Sequence, residues 1–127
     1  MVGIVVVSHS REIASGTADL AGQMAGPDVR IKAVGGDPAG RLGTDGDRIR
    51  SAIATADAGD GVVVLGDLGS AILTVRTVLE DAGNGHVVLA DAPLVEGAVA
   101  AAVAASAGLV LSEVRRSAEE AGGASKL

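Results

Sequence analysis

Two short runs constrain this chain more than anything else in it. Val2–Val7 (VGIVVV) and Gly61–Leu65 (GVVVL) carry no polar side chain, so both faces of each must be covered. Uninterrupted β-branched runs of this kind are central strands of a parallel sheet with helices on both sides. A third run, His86–Ala90 (HVVLA), is shorter, and Val29–Val34 (VRIKAV) alternates apolar with polar as an edge strand does. Helical periodicities fill the gaps. Ile13, Thr17, Leu20, Ala21 and Met24 form one stripe, with Gly26-Pro27 just beyond its end. Ile49, Ile53 and Ala56 mark a second helix over Asp47–Asp57. Ile72, Val75, Leu79 and Ala82 mark a third, closed by Gly83-Asn84-Gly85. An Ala-rich helix over Leu94–Ala107 and a last one over Ser112–Ala121, with Ser112 as its cap, complete the chain.

The order β-α-β-α-β-α-β-α-α predicts an α/β fold: a doubly wound, mainly parallel sheet of about four strands, order 2-1-3-4, with right-handed crossovers. Residues 1–121 read as a single domain and 122–127 as a flexible tail. The closing Ser125-Lys126-Leu127 matches a peroxisomal address in form only and is read as part of that tail. One stretch interrupts the rhythm, the twelve-residue Gly35–Gly46 segment (GGDPAGRLGTDG). A loop that long in so small a domain is more often functional than idle.

Composition removes whole classes of function. With no Phe, Tyr or Trp, the core must be built from Val, Leu, Ile and Ala, and no base can stack on a ring. Ten basic against sixteen acidic residues give a net charge of −6, which disfavours a nucleic-acid partner. The absence of Cys excludes thiolate chemistry and Cys-type metal sites, and two histidines at unrelated positions make zinc unsupported. No metal site is expected. There is no Walker-type or dinucleotide-binding glycine motif, so this chain is not expected to hold a nucleotide by itself. The N-terminus lacks a basic flank, and the most apolar window, Leu94–Leu111, is mostly Ala and Gly and contains Glu96. Neither a signal peptide nor a membrane span is expected, and the cytoplasm is the expected location.

In open α/β sheets ligands bind beyond the carboxyl ends of the strands, where strand order reverses. Order 2-1-3-4 makes strands one and three neighbours, so the segments that follow them share a crevice. Ser8-His9-Ser10 follows strand one, and Gly66-Asp67-Leu68-Gly69-Ser70 follows strand three. His9 and Asp67 should therefore meet. An imidazole held by a carboxylate at one nitrogen has the other free as a nucleophile near neutral pH. Two helix N-termini open at the same place and favour an anion. Gly69 would permit close backbone approach, and Ser70 would add a hydroxyl. Alone, Asp67 and Ser10 could each be no more than helix caps; their convergence on His9 is what points to phosphoryl chemistry. His86 falls at the opposite edge of the sheet and reads as a turn residue.

Four blocks in fixed order carry a family resemblance: V-x-V-S-H-S at Val5–Ser10, G-T-D at Gly43–Asp45, D-L-G-S-A at Asp67–Ala71 and A-P-L-V-E-G-A at Ala92–Ala98. Together they resemble the DhaM family, the phosphocarrier subunits of phosphoenolpyruvate-dependent dihydroxyacetone kinases, which are similar to the IIA domains of mannose-type phosphotransferase systems. The resemblance implies a phosphotransferase subunit. His9 would take a phosphoryl group from HPr, and Asp67 would orient it. Gly43, Thr44, Ser10, Leu68, Gly69 and Ser70 would support the phosphate. The group would pass to ADP, held with Mg²⁺ in the partner subunit DhaL, for phosphorylation of dihydroxyacetone on DhaK. The resemblance further implies a homodimer, and the single domain implies a separate donor protein. Leu42 and Leu68 would form an apolar rim for the donor. A receiver-like module phosphorylated on aspartate, or an anion-sensing regulatory module, is the competing reading.

Overall fold

The computed structural model describes residues 1–82 and 85–127. The Gly83-Asn84 part of the stop proposed for the third helix lies outside them. Four strands, β1 (Gly3–Ser8), β2 (Ile31–Gly35), β3 (Val62–Gly66) and β4 (Val87–Leu89), pair in parallel in the order β2-β1-β3-β4. The helices are α1 (Arg11–Ala25), α2 (Gly46–Ala56), α3 (Gly69–Ala82), α4 (Leu94–Ser106) and α5 (Leu111–Glu120), and a 3₁₀ turn follows at Ala121–Gly123. This is the expected doubly wound sheet. In the tail that follows, Lys126 Nζ reaches Glu96 Oε2 at 2.7 Å.

The uninterrupted apolar runs are explained by two cores. Ile4, Val6, Val63 and Leu65 point to one side and pack with residues of α1, α4 and α5. Val5, Val7, Val62 and Val64 point to the other and pack with residues of α2 and α3. Period-two alternation therefore sends every second valine to a different core, and neither face meets water. The missing aromatic volume is made up by close approach. Gly97, Ala98, Ala101, Ala102, Ala104 and Ala105 of α4 are buried, so helix backbones pack closely on that side.

Close approach also corrects the reading of α1. Its buried residues are Ala14, Thr17 and Ala21, while Ile13, Leu20 and Met24 are exposed. Because α1 lies against the small-residue face of α4, side chains without bulk line the contact and the larger ones flank it. The cap assigned to α5 is corrected as well. Val110 is its N-cap, with no side-chain bond, and Ser112 lies inside the first turn.

Candidate functional site

Ser8, His9 and Ser10 lead from the end of β1 into α1, and Asp67 and Leu68 lead from β3 into α3. Strand pairing alone brings the two segments together, because Val7 is the partner of Gly66. Asp67 is the hub. Its Oδ1 accepts the Leu68 N–H at 2.8 Å and lies 2.9 Å from His9 Nδ1; its Oδ2 accepts the Ser8 hydroxyl at 2.7 Å and the His9 N–H at 3.1 Å. Burial pushes this carboxyl up, but the hydrogen bonds from Ser8, His9 and Leu68 outweigh it and hold Asp67 below the usual carboxylate range.

An ionised carboxylate only accepts, so Nδ1 of His9 must be the protonated nitrogen. In the neutral ring Nε2 then carries the lone pair, and it meets the Ser70 hydroxyl. That atom is thereby aimed at the first turn of α3, whose N–H groups have no partner within the helix. A Cβ at Gly69 would meet nothing within 4 Å, so the approach to that turn is open.

The other expected residues divide by role. Ser10 is the N-cap of α1, its Oγ accepting the Ile13 N–H at 3.3 Å and contacting Glu12 Oε2 at 3.3 Å. Gly43 donates its N–H to the His9 carbonyl at 3.0 Å, and Gly36 does the same at 3.1 Å. Thr44 Oγ1 lies 3.1 Å from Thr74 Oγ1, which donates to the Ser70 carbonyl at 3.0 Å. Gly43 and Thr44 thus hold the long loop against His9 and α3; a phosphate would have to draw them from these partners. Leu42, Leu68 and Leu73 are exposed. His86 sits at the amino end of β4, with Nε2 3.3 Å from Asp57 Oδ1. Among the described residues no group of three His, Cys, Asp or Glu side chains could hold a metal ion.

Sequence reasoning missed three contributors. Ser8 is fully buried; it donates to Asp67 and accepts the Ser10 N–H at 3.0 Å, which locks the turn carrying His9. Thr74 links the loop to α3. Gly35 lets the end of β2 pass under the same turn: a Cβ there would lie 2.5 Å from the Ser10 carbonyl oxygen and 2.7 Å from Arg11 Cα. Both are backbone atoms that cannot rotate away. Gly35→Ala is expected to cost about 2–3 kcal/mol of stability and to displace His9. Urea unfolding together with the His9 and Asp67 side-chain NMR signals checks this, and an unperturbed site with wild-type stability would contradict it.

A model of the EIIA-man family, described as the PTS system fructose IIA component, matches residues 3–115. The phosphoryl donor subunit DhaM of PEP-dependent dihydroxyacetone kinase 1 from Listeria innocua is 41% identical over 100 residues, covering 79% of this chain and 78% of that protein. The DhaM subunit of PEP-dependent dihydroxyacetone kinase from Klebsiella michiganensis is 40% identical over 120 residues, and the match covers 90% of this chain but 25% of that longer protein. The crystal structure of unknown function protein EF1359 superposes with a TM-score of 0.80 at 35% identity, covering 94% of each chain.

Proposed function

The chain belongs to the EIIA-man family and to its DhaM-like phosphocarrier subunits, and from that premise we propose that it carries a phosphoryl group on His9 between a phosphotransferase-system donor and a dihydroxyacetone kinase. The observation that supports this most directly is the pairing at the switch point, with Nδ1 of His9 2.9 Å from Asp67 Oδ1 and Nε2 left as the lone-pair nitrogen.

In the loading step the Nε2 lone pair attacks phosphorus. The bond between phosphorus and the donor breaks, and its electron pair leaves with the donor. The Nδ1 proton stays on the ring, directed at Asp67, whose charge stabilises the electron-poor phosphoimidazole. Ser70 and the first turn of α3 lie beside Nε2 and donate to the phosphoryl oxygens. In the discharge step an acceptor oxygen attacks the same phosphorus, and the N–P electrons return to Nε2. HPr is the donor, and the acceptor is ADP held with Mg²⁺ by DhaL, which serves the DhaK subunit. Leu42, Leu68 and Leu73 offer the exposed apolar rim on which these proteins dock in turn. The chain acts as a homodimer in the cytoplasm. Among the described residues no helix is long and apolar enough to cross a membrane.

Incubation with phosphoenolpyruvate, enzyme I and HPr tests the proposal. One phosphoryl group per chain is expected, stable in base and lost in acid, and it should discharge on addition of DhaL with ADP. A base-labile product would indicate an acyl phosphate on aspartate, and no product would leave an anion sensor.

A further inference from the structure

Beside the His9 crevice a second depression opens at the carboxyl ends of β3 and β4. It is a cavity of about 490 Å³, lined among others by Gly66, Asp67, Arg76, Asp91 and Arg115. Asp67 is the wall it shares with the phosphoryl site. The arginines come from different helices, Arg76 from α3 and Arg115 from α5. Arg115 is steadied by Glu119, with 3.6 Å between Nε and Oε1, and Glu119 also accepts the Asp91 N–H at 2.9 Å. Arg76 is exposed and has no ion pair or hydrogen bond among the described residues. In a chain of net charge −6, two arginines lining one cavity that shares Asp67 with the transfer site need a reason. The carboxylates in the same wall do not supply it. Asp67 already accepts four hydrogen bonds, and Asp91 is exposed.

We propose that this cavity is an anion subsite for the phosphoryl acceptor, in which Arg76 and Arg115 receive the phosphate groups of a nucleoside diphosphate presented by the partner subunit. The inference rests on the carrier function above and adds a part to it. Discharge of phosphorylated His9 brings an anionic phosphoryl group against an anionic diphosphate, and that repulsion falls as the two approach a fixed positive charge. Guanidinium groups suit the task because they stay charged and match phosphate oxygens with paired N–H donors. Loading from a protein donor brings no diphosphate, so the two arginines act on one half of the cycle only. The bonds that form and break are those of the discharge step, and the arginines contribute charge and hydrogen bonds without exchanging a proton.

Two measurements test this. With His9 already phosphorylated, Arg76→Ala should discharge to DhaL with ADP about 100-fold more slowly than the parent, and Arg76→Lys should recover part of that loss. Arg116→Ala, which removes a guanidinium paired with Glu113 away from the cavity, serves as the charge control and should discharge normally. Separately, inorganic pyrophosphate titrated into the unphosphorylated protein should shift the Nε–Hε resonances of Arg76 and Arg115 but not of Arg116. Normal discharge by Arg76→Ala overturns the proposal, as does pyrophosphate that leaves both arginines unmoved. An equal loss of loading and discharge in Arg76→Ala also overturns it, because that would assign Arg76 to His9 itself. If His9 takes no phosphoryl group at all, the carrier function falls, and the pyrophosphate titration alone decides the subsite.

Discussion

His9→Ala is expected to take no phosphoryl group while retaining the parent's stability to within about 1 kcal/mol. The two halves of that expectation have separate causes. Phosphoryl acceptance needs a lone pair at Nε2, and no neighbour can replace it. Ser70 is an alcohol without a base once the imidazole is gone, and Asp67 is enclosed by its donors. Stability is spared because three of the four hydrogen bonds to Asp67 survive: those from the His9 N–H, the Leu68 N–H and the Ser8 hydroxyl do not involve the imidazole. Ser70 is exposed and can turn to water. Radiolabelling from phosphoenolpyruvate and a urea titration read the two halves independently. Label that persists in His9→Ala would move the acceptor to another residue and sink the carrier proposal. Lost label together with lost folding would instead make His9 a structural residue.

The contrast between His9 and its surroundings also explains what could be read from the sequence. The sheet was legible because strands apolar on both faces have few other solutions. Strand order then placed Ser8–Ser10 beside Asp67–Ser70 without knowledge of any side-chain contact. Which atoms meet was not legible. Ser8 looks like any strand-end serine, and its bridge between Asp67 and the Ser10 N–H depends on a register that only three dimensions supply. Gly35 carries no side chain to notice, yet the site turn passes within 2.5 Å of where its Cβ would lie. Thr74 sits one turn beyond Ser70, and only the path of the long loop brings Thr44 to it. The exposed Ile13, Leu20 and Met24 were misread for a related reason. Periodicity reports a stripe, but the size of the facing residues on α4 decides which part of that stripe is buried.

Asp67→Asn is the second large effect, expected to slow loading of His9 by about 10³- to 10⁴-fold while the protein still folds. The substitution keeps the shape and removes two properties. The carboxylate accepts from four donors, two at each oxygen; an amide has one oxygen, and its NH₂ must face the other pair. If the NH₂ takes the place of Oδ1, it points at both the Leu68 N–H and Nδ1 of His9. Nδ1 must then become the acceptor, the ring proton moves to Nε2, and the nucleophile is lost. If the NH₂ takes the place of Oδ2, the tautomer survives but the His9 backbone N–H faces another donor. The negative charge opposite the forming phosphoimidazole is absent in both cases. Stability should fall by about 1–2 kcal/mol at neutral pH from the donors left unmatched around this part-buried carboxyl. The pH dependence has a definite sign. Because Asp67 is held below the usual carboxylate range in the fold, its ionic contribution is complete above the unfolded value of about 3.9 and disappears as pH falls through the folded value. The stability gap between wild type and Asp67→Asn should therefore shrink as pH falls from about 5 into more acidic solution. Paired urea titrations across that range, with NMR detection of the ring nitrogen that carries the proton, test the argument. A gap independent of pH, or a neutral ring still protonated at Nδ1 with loading unimpaired, would reduce Asp67 to a cap at the head of α3.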